Sequence, residues 1–380
     1  MKESDFISPA GKLIEDPSGE YEYFLPDPPP RQIDIDAELN LLNSEAERNI
    51  GMLSGVGATL PNPHILIRPY LTREAVLSSK IEGTQASLSE LLRYQAQGER
   101  SAKRDEAEVY NYIRALEYGL EKIKTSEIDF DLIKELHRIL LTGVRGKNKT
   151  PGEFRNVQVW IGEEGTSRGE STFVPPAPVA LIKPMHDFMD YISEKDIPLL
   201  IQTALMHYHF ETTHPFLDGN GRIGRLLITL FLCKRGVLSK PLLYLSAYFE
   251  KNKAEYYKKL LEVSQKGDYA SWIKFFLRGV KEQSEDGKNR ALSLVRLREN
   301  YRSMLSKERS FPKASMIIDK IFENPFISVI GASLFLNVTY PTAKRTISSL
   351  QRFGLLTEAD SHVRRRKMYY NPEILKILGI

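Results

Sequence analysis

The feature that most constrains the fold of this chain is a helical spacing of apolar residues that recurs along most of its length. Residues 106–123 place Val109, Ile113 and Leu116 on one stripe, which is the pattern of an amphipathic helix. Residues 129–143 repeat this pattern and end in glycine, a common helix terminator. The same reasoning predicts further helices over 34–50, 70–83, 88–97, 180–195, 198–213, 222–236, 254–265 and 269–307. The sequence therefore predicts an all-α protein.

Three segments depart from the helical pattern. Residues 1–35 are rich in proline towards their end and are predicted to be extended and irregular. Glycines and prolines in residues 51–64 are predicted to interrupt the first helical run. Two strand-like runs, 156–162 and 171–174, flank a polar turn that contains glycine. We therefore expect one small β-hairpin in an otherwise helical fold.

The charge of the chain is distributed unevenly. The net charge is +4, but residues 310–380 contain ten Lys or Arg and five Asp or Glu, so the rest of the chain has a net charge of −1. This terminal segment reads as three short helices followed by a basic hairpin, which is the order of a winged helix-turn-helix. Thr342 to Gly354 would form its second, recognition-like helix, with Arg364 to Lys367 on or beside the wing. Either DNA or a protein is a candidate partner for such a module.

The remaining composition bounds the domain organisation and the cell compartment. The single cysteine, Cys233, excludes an intramolecular disulfide framework and any cysteine-clustered metal site. The apolar run at 226–233 is far too short for a membrane span, so a cytoplasmic protein with no membrane partner is expected. We predict an N-terminal helical region over 1–115, a catalytic core over 116–300 and the winged-helix module over 310–380.

The densest functional signal is HPFLDGNGRIGR, residues 214–225. Its three glycines fall before or inside the first turn of a predicted helix, where unpaired amides can face an anion. Arg222 and Arg225 add two guanidinium groups, which suit a polyphosphate. Asp218 could hold Mg²⁺ beside those phosphates, and His214 could accept a proton near neutral pH.

This segment resembles the signature of the Fic family, His-Pro-Phe-x-Asp/Glu-Gly-Asn-Gly-Arg-x-x-Arg, at every fixed position. Most Fic proteins transfer the AMP moiety of ATP to a hydroxyl group of a target protein. The resemblance therefore implies a helical Fic core with a small flap hairpin, ATP as co-substrate, and a Ser, Thr or Tyr acceptor on another protein or on the chain itself.

The resemblance also implies roles for individual residues. His214 is expected to be the base that deprotonates the hydroxyl, Asp218 the ligand of Mg²⁺, and Phe216 an anchor of the loop in the core. The residues expected to hold the phosphates are Gly219, Asn220, Gly221, Arg222, Gly224 and Arg225, the last towards the γ-phosphate.

Two further segments are similar to parts of the family that contact the nucleotide. Residues 152–162 resemble the flap that pairs with the target, and residues 246–263 resemble the helix that helps to form the adenine pocket. In the second segment, Tyr257 is the candidate for stacking on the base. The flap residues expected to line the nucleotide are Val159, Trp160, Ile161 and Gly162.

A possible control element precedes the core. Ser78-x-x-x-Glu82-Gly83 resembles the inhibitory motif of the self-inhibited Fic proteins in which an inhibitory helix precedes the core. If the helix that ends at Gly83 docks on the nucleotide site, Glu82 should pair with Arg225. We expect this pair to occupy the guanidinium group that the γ-phosphate needs.

Other functions are open at this stage. A metal hydrolase would use His207, His209, Glu211 and His214, but the two nearest histidines lie about 200° apart on a helix, which favours structural roles. Within the family, transfer of phosphate, UMP or phosphocholine and removal of AMP by a water that Glu82 orients are alternatives. A DNA-binding regulator is another. The oligomeric state is open, with a homodimer among the alternatives.

Overall fold

The computed structural model describes residues 1, 3–59, 63–85, 87–97, 104–144, 146, 148–162, 171–306, 311–359 and 367–380. Helices dominate these residues, as predicted. Those of the N-terminal region and the core are α1 (Ala37–Thr59), α2 (Pro63–Ile81), α3 (Leu88–Gln97), α4 (Arg104–Lys122), α5 (Phe130–Leu141), α6 (Ile182–Ser193), α7 (Leu199–Thr213), α8 (Asn220–Lys234), α9 (Ser246–Lys251), α10 (Lys253–Lys266) and α11 (Tyr269–Leu305).

The first helix is longer than predicted. It continues through 51–59, where the glycines led us to expect an interruption. Leu53 is fully buried in this stretch, and α1 packs along α11. A Cβ on Gly57 would lie 3.0 Å from Leu242 Cδ1, so the small residue allows close packing there. Tertiary packing thus outweighs the low helix propensity of glycine.

The N-terminal segment contains a hairpin that the sequence reading missed. Strands β1 (Gly11–Glu15) and β2 (Glu22–Pro26) pair antiparallel, with Gly11 opposite Pro26 and Glu15 opposite Glu22. The Phe24 amide donates to the Val174 carbonyl at 2.8 Å. The proline-rich run that suggested irregular structure begins only where β2 ends.

The predicted hairpin of 156–162 and 171–174 is reduced to a single bridge between Ile161 and Phe173. Its turn, 163–170, lies outside the described residues. Other partners replace the hydrogen bonds expected between the two strands. The Gln158 side chain donates to the Pro175 carbonyl at 2.9 Å, and the Phe24 amide of β2 donates to the Val174 carbonyl. The segment therefore lies where a flap was predicted, but without two regular strands.

Helices α7 and α8 form the centre of the core. Almost every residue of both is buried, and they pack on one another and on α2, α4, α5, α6 and α11. We had expected α8 to have a buried face with Ile223, Leu227 and Leu230 and arginines elsewhere, but Arg222 and Arg225 are only 1% and 2% exposed. Both arginines are therefore held inside the molecule, and Arg222 bonds to Asp218 of the connection between the two helices, 214–219.

The C-terminal segment forms a small α/β unit. Its elements are α12 (Phe311–Glu323), β3 (Phe326–Ser328), α13 (Val329–Leu336), α14 (Tyr340–Arg352), β4 (Thr357–Glu358), β5 (Met368–Tyr370) and α15 (Pro372–Leu378). The antiparallel sheet has the order β3-β5-β4. Helix α15 was not predicted, and α14 starts and ends two residues before the predicted recognition-like helix. The predicted wing residues Arg364, Arg365 and Arg366 lie outside the described residues, and the winged-helix assignment and the domain limits stay predictions.

None of the helices described is both long enough and apolar enough to cross a bilayer.

Candidate active site

The loop between α7 and α8 reverses the chain with two left-handed residues. His214 has φ 50° and Gly219 has φ 84°, and the second value is in a region that glycine adopts readily. Asn220 closes the loop, because its side chain accepts from the Phe216 amide and donates to the Phe216 carbonyl, both at 2.8 Å. Asn220 thus shapes the loop, and its expected contact with phosphate stays a prediction.

The start of α8 presents unpaired amides, as expected. Gly219 is the N-cap and no side chain caps the helix. Among the described hydrogen bonds, the first α8 amide with a backbone acceptor is that of Ile223, which bonds to the Gly219 carbonyl at 3.0 Å. The amides before it lie at the positive end of the helix dipole, an arrangement that suits an anion.

His214 is oriented as a base. Its Nδ1 lies 3.2 Å from the Glu211 carbonyl, which can only accept, so Nδ1 carries the proton and Nε2 has a free lone pair. Burial, together with the positive charge of Arg155, lowers the pKa of His214 to about 4. The imidazole is therefore neutral at physiological pH.

Arg155, which the sequence reading did not single out, ties the flap segment to the catalytic loop. Its Nε donates to the His214 carbonyl at 2.8 Å and its Nη2 donates to the Pro176 carbonyl. Its backbone amide donates to the Pro215 carbonyl at 2.9 Å. The side chain is 2% exposed, so these bonds form away from water.

His137 is a second unpredicted support of the loop. Its ring stacks on Phe216 with centroids 3.8 Å apart, and Phe216 is fully buried, in agreement with its predicted role as an anchor. Nδ1 accepts from the Gly152 amide at 2.9 Å, so Nε2 donates to the Asp218 carbonyl at 2.9 Å. Burial lowers the pKa of His137 to about 4, which keeps this neutral tautomer at ordinary pH.

Asp218 and Arg222 form an ion pair beside the amides of α8. Arg222 Nη2 donates to Asp218 Oδ1 at 3.2 Å, and Arg222 Nη1 lies 3.5 Å from Glu108 Oε2. The Asp218 side chain is 30% exposed, and its other oxygen faces the backbone of Gly146, where a Cβ would lie 2.8 Å away. One open carboxylate oxygen beside an anion site fits Mg²⁺, which commonly takes one or two carboxylates together with phosphate oxygens.

Arg225 is held by the segment that carries Glu82. Its Nε donates to Ser78 Oγ at 2.9 Å, and its Nη2 donates to the Ser78 carbonyl at 2.9 Å and to Glu82 Oε1 at 2.7 Å. Burial acts to raise the pKa of Glu82, but the Arg225 guanidinium outweighs it and lowers this pKa. A Cβ on Gly221 would lie 2.2 Å from Glu82 Oε1, so the carboxylate lies against the first turn of α8. The predicted pair is present in the structure.

One nitrogen of the Arg225 guanidinium group is an unpaired hydrogen-bond donor. Its Nη1 is buried and has no hydrogen-bond partner among the described residues. It lies 2.9 Å from the position a Cβ would take on Gly221, next to the helix start. Buried guanidinium donors are normally satisfied, so an unpaired one beside free amides indicates that an anionic ligand belongs here.

Glu211 is a buried carboxyl group in the same region. A Cβ on Gly224 would lie 2.2 Å from Glu211 Oε1, so Gly224 makes room for this side chain, and its expected contact with phosphate stays a prediction. Burial, opposed by Arg225 and aided by the negative charge of Glu82, raises the pKa of Glu211 to about 8. Oε1 has no hydrogen-bond partner among the described residues and lies 3.9 Å from Nε2 of His207.

The flap residues and Tyr257 lie at the surface. Trp160 and Ile161 are 44% and 36% exposed, Val159 is half-buried and Gly162 is exposed. Tyr257 is 43% exposed; burial of its hydroxyl and the negative charge of Glu82 raise its pKa, so its phenol lies near the inhibitory carboxylate. Contact of these five residues with a nucleotide stays a prediction.

His207 and His209 have separate structural partners. His207 Nε2 lies 2.8 Å from the Tyr256 hydroxyl of α10, and His209 Nε2 lies 2.8 Å from the Pro184 carbonyl of α6. Both are fully buried, and burial lowers the pKa of His207 to about 3 and that of His209 to about 4. The two rings point to different helices, as their predicted separation implies, so they cannot share one ion.

The lowered pKa of His209 predicts a loss of stability in acid. The unfolded chain binds a proton at this residue near pH 6.5 and the folded chain only near 4, so the contribution of His209 is complete above pH 6.5 and is lost as the pH falls towards 4. We expect His209→Gln to reduce the pH dependence of the free energy of unfolding by about 1 kcal/mol per pH unit in this window. Urea unfolding at pH 7, 6 and 5 measures it, and equal slopes for both proteins would contradict it.

Comparison with known proteins identifies two domains in the chain. Residues 40–121 match the Fic/DOC family N-terminal model, and residues 127–232 match the Fic/DOC family model. Over these residues the chain is similar to Fic/DOC proteins, in agreement with the resemblance noted in the sequence.

Relatives and solved structures agree with this resemblance. The chain is 28% identical over 215 residues to protein adenylyltransferase fic-1 of Caenorhabditis elegans, covering 55% of this chain. It is 32% identical over 176 residues to protein adenylyltransferase Fic of Nematostella vectensis, covering 45% of this chain. The match spans only 37% of the length of each relative.

The fold is also that of known Fic structures. A Fic family protein from Desulfovibrio desulfuricans superposes with a TM-score of 0.56 at 21% identity, covering 91% of this chain and 98% of its own. A fragment of Fic-1 from C. elegans has a TM-score of 0.52 at 24% identity, covering 68% and 74%. The predicted helical Fic fold is therefore confirmed.

Proposed function

We propose that this protein transfers AMP from ATP to a Ser, Thr or Tyr hydroxyl group of a protein. One observation carries the proposal: a neutral histidine with a free Nε2, His214, adjoins a buried anion site with an unpaired Arg225 donor. A base and a polyphosphate site in one loop are what nucleotidyl transfer to a hydroxyl group requires. The names of the relatives, protein adenylyltransferases, support the same reaction.

The reaction would proceed by in-line attack. His214 Nε2 accepts the proton of the target hydroxyl while the hydroxyl oxygen forms a bond to the α-phosphorus of ATP. The bond between the α-phosphorus and the oxygen that bridges to the β-phosphorus breaks, and pyrophosphate leaves. The first amides of α8, Arg222 and Arg225 would bind the phosphates, and Asp218 would hold Mg²⁺, which neutralises charge on the leaving group.

We further propose that Glu82 holds the enzyme inhibited. Its carboxylate occupies Arg225 and lies against Gly221, so it puts a negative charge where the phosphate tail of ATP would bind. Removal of AMP is a second candidate activity, favoured by the lowered pKa of Glu82, because an ionised carboxylate beside the phosphate site could orient a water. A protein target, self-modification and a homodimer are part of the same proposal.

Incubation with labelled ATP and Mg²⁺ tests the proposed reaction. Label from α-labelled ATP should appear on protein and label from γ-labelled ATP should not, with a mass gain of one AMP. Label from γ-labelled ATP on protein would show phosphorylation instead. AMP-modified protein, incubated without ATP, tests removal: release of AMP by wild type but not by Glu82→Gln would favour the second candidate.

Arg155 should act as a positioning residue for His214. Arg155→Lys keeps the charge but cannot reach both the His214 and Pro176 carbonyls, so we expect kcat to fall about tenfold, with KM for ATP nearly unchanged. Arg155→Met also removes the charge that lowers the pKa of His214, so the acid limb of its pH–rate profile should move to higher pH. Identical acid limbs for Arg155→Lys and Arg155→Met would show that Arg155 does not act through His214.

A further inference from the structure

One face of helix α14 is basic and exposed in the described structure. Its buried side faces α12 and α13, through Ala343, Thr346, Ile347 and Leu350. The exposed residues follow one another at helical spacing: Pro341, Lys344, Arg345, Ser348 and Arg352. They therefore form a continuous stripe, which we call the α14 face.

The charged side chains of the α14 face are all basic. Two adjoining clefts run along it, lined by Lys344, Arg345 and Arg352, by Lys313 from the first turn of α12, and by the hydroxyl-bearing residues Thr342, Thr346, Ser348 and Ser349. None of the described residues that line either cleft is acidic. Cations interleaved with hydroxyl donors are the groups that bind phosphate oxygens along a nucleic-acid backbone.

The acidic residues of this unit are occupied elsewhere. Asp319 accepts from Arg298 at 2.8 Å, Glu323 pairs with Lys320 and Glu358 pairs with Lys367. None of the ion pairs formed within the described ranges involves Lys313, Lys344, Arg345 or Arg352. Within the part of the chain that the structure describes, no carboxylate therefore pairs with the cations of the α14 face.

The geometry of α13 and α14 suits entry into a groove. They are joined by three residues, Asn337–Thr339, with Asn337 in the left-handed region at φ 51°, a connection typical of a helix-turn-helix. The 13 residues of α14 span about 20 Å, and the B-form major groove, about 12 Å wide, admits a helix. The major groove of duplex RNA is too narrow for one.

We propose that the α14 face binds double-stranded DNA, with α14 in the major groove and Lys313, Lys344, Arg345 and Arg352 on the phosphates. This binding is separate from AMP transfer and does not rest on it. Each phosphate contact changes the slope of log affinity against log salt by about 0.9, so four contacts predict a slope of about −3 to −4.

Fluorescence anisotropy with the full chain and a labelled duplex of about 25 base pairs tests the proposal between about 50 and 200 mM KCl. Lys344→Ala/Arg345→Ala/Arg352→Ala should weaken binding about tenfold or more and make the slope shallower by about 3. The charge-matched control, Lys251→Ala/Lys266→Ala/Lys376→Ala, removes three exposed cations elsewhere and should bind like wild type. His214→Ala should also bind normally.

Several results would overturn the proposal. The proposal fails if the wild type does not bind the duplex at the lowest salt, or if the control triple variant loses as much affinity as the α14 triple variant. It also fails if duplex RNA competes as strongly as duplex DNA. A slope of log affinity against log salt near zero would overturn it as well and would favour a protein partner. The variant Lys344→Arg/Arg345→Lys/Arg352→Lys keeps all three positive charges and should keep the salt slope of the wild type. If that slope were lost, contact between these positive charges and the phosphates would not be the source of the affinity.

A different observation concerns the segment that carries Glu82. Helix α2 ends just before it, at Ile81, and packs on α12, while α3 follows it and packs on β3. Leu92 of α3 lies in an apolar cluster with Phe326, Met368 and Leu375, and the Asn324 side chain donates to the Leu92 carbonyl at 2.8 Å. The C-terminal unit therefore supports the chain on both sides of Glu82.

From this packing we infer that the C-terminal unit holds Glu82 on Arg225; the inference rests on the proposed inhibition. Leu92→Ala and the milder Asn324→Ala should each raise AMP transfer, the first about tenfold, because they loosen α3 without touching the site. Leu378→Ala truncates an equally buried leucine of the same unit, in α15, which packs on α11, and should not raise transfer.

The Glu82→Gly background separates the two ideas. There, Leu92→Ala should add nothing, since the carboxylate that it releases is already gone. If Glu82→Gly does not raise transfer in the wild-type background, the proposed inhibition fails. If Glu82→Gly does and neither Leu92→Ala nor Asn324→Ala does, only the role of the C-terminal unit fails.

Discussion

His214→Ala should lower AMP transfer by about 10²–10⁴-fold, which is the usual contribution of a positioned general base. The Nε2 lone pair is free because Nδ1 faces the Glu211 carbonyl, and the ring is neutral because burial lowers its pKa to about 4. ATP affinity should change little, because the groups expected to hold the phosphates, the α8 amides and Arg225, remain. Transfer of α-label to protein measures the first effect, and titration with a fluorescent ATP analogue measures the second.

His209→Gln is the matched control for this variant. It replaces a buried histidine of α7, the helix that ends just before His214, and its Nε2 bonds to the Pro184 carbonyl, away from the site. It should transfer AMP like wild type at pH 7.5. Equal transfer by His214→Ala and wild type would remove His214 from the chemistry, and an equal loss in both variants would assign the effect to disturbance of α7.

The pKa of His214 also sets the expected pH dependence. With a value of about 4, the base stays neutral from pH 8 down to about 5.5, so its protonation should not lower kcat in this range. If the pH–rate profile of the wild type had an acid limb with a midpoint near 6.5 and the profile of Arg155→Met did not, the effect of Arg155 on the pKa of His214 would be contradicted.

The sequence predicted those parts of the site that depend on local pattern. Residues 214–225 form a contiguous loop and helix start, so their spacing alone indicates an anion site with a base beside it. The contact between Glu82 and Arg225 was also predicted, but only because the surrounding residues resemble a family motif. Nothing in the spacing of residues 143 positions apart requires them to meet.

The residues that were missed act through tertiary contacts. Arg155 and His137 reach the loop from the flap segment and from α5, and a single arginine or histidine in these stretches has no periodicity that would mark it. Asn220 and Gly224 are expected at the phosphates because they belong to the motif, and the motif does not reveal that Asn220 also closes the loop or that Gly224 makes room for the Glu211 side chain. The pattern identifies such residues but not what each one touches.

The errors in secondary structure have a similar origin. Glycine and proline are reliable breakers only where tertiary packing does not compensate, and α1 is held straight through 51–59 by its long contact with α11. The β1–β2 hairpin does carry a turn signal, because residues 16–19 are Asp-Pro-Ser-Gly and the Gly19 amide donates to the Asp16 carbonyl at 2.7 Å. The proline-rich run that follows β2 favoured an irregular structure for the whole segment and obscured this signal. Local propensity could not predict the continuation of α1.

Glu82→Gly should raise AMP transfer by about 10–100-fold over wild type. The change removes a hydrogen bond between charged groups in a largely desolvated setting, where such a bond contributes about 1.5–3 kcal/mol, and tenfold corresponds to about 1.4 kcal/mol. It also frees the space beside Gly221, which the carboxylate now fills. Initial rates of α-label incorporation with saturating ATP and Mg²⁺ measure the gain, and the mass of the product should increase by one AMP.

Three variants show whether the gain comes from release of Arg225. Glu194→Gly removes a carboxylate that also follows a helix and pairs with an arginine, Arg31, at 2.6 Å, and it should leave transfer unchanged. Glu82→Gln keeps the size of the side chain but loses its charge, so it should be activated less than Glu82→Gly. Arg225→Ala should be inactive, because it loses the phosphate ligand together with the inhibitory contact. If Glu82→Gly transferred AMP no faster than wild type, the contact between Glu82 and Arg225 would be structural, and control of the site would have to lie elsewhere.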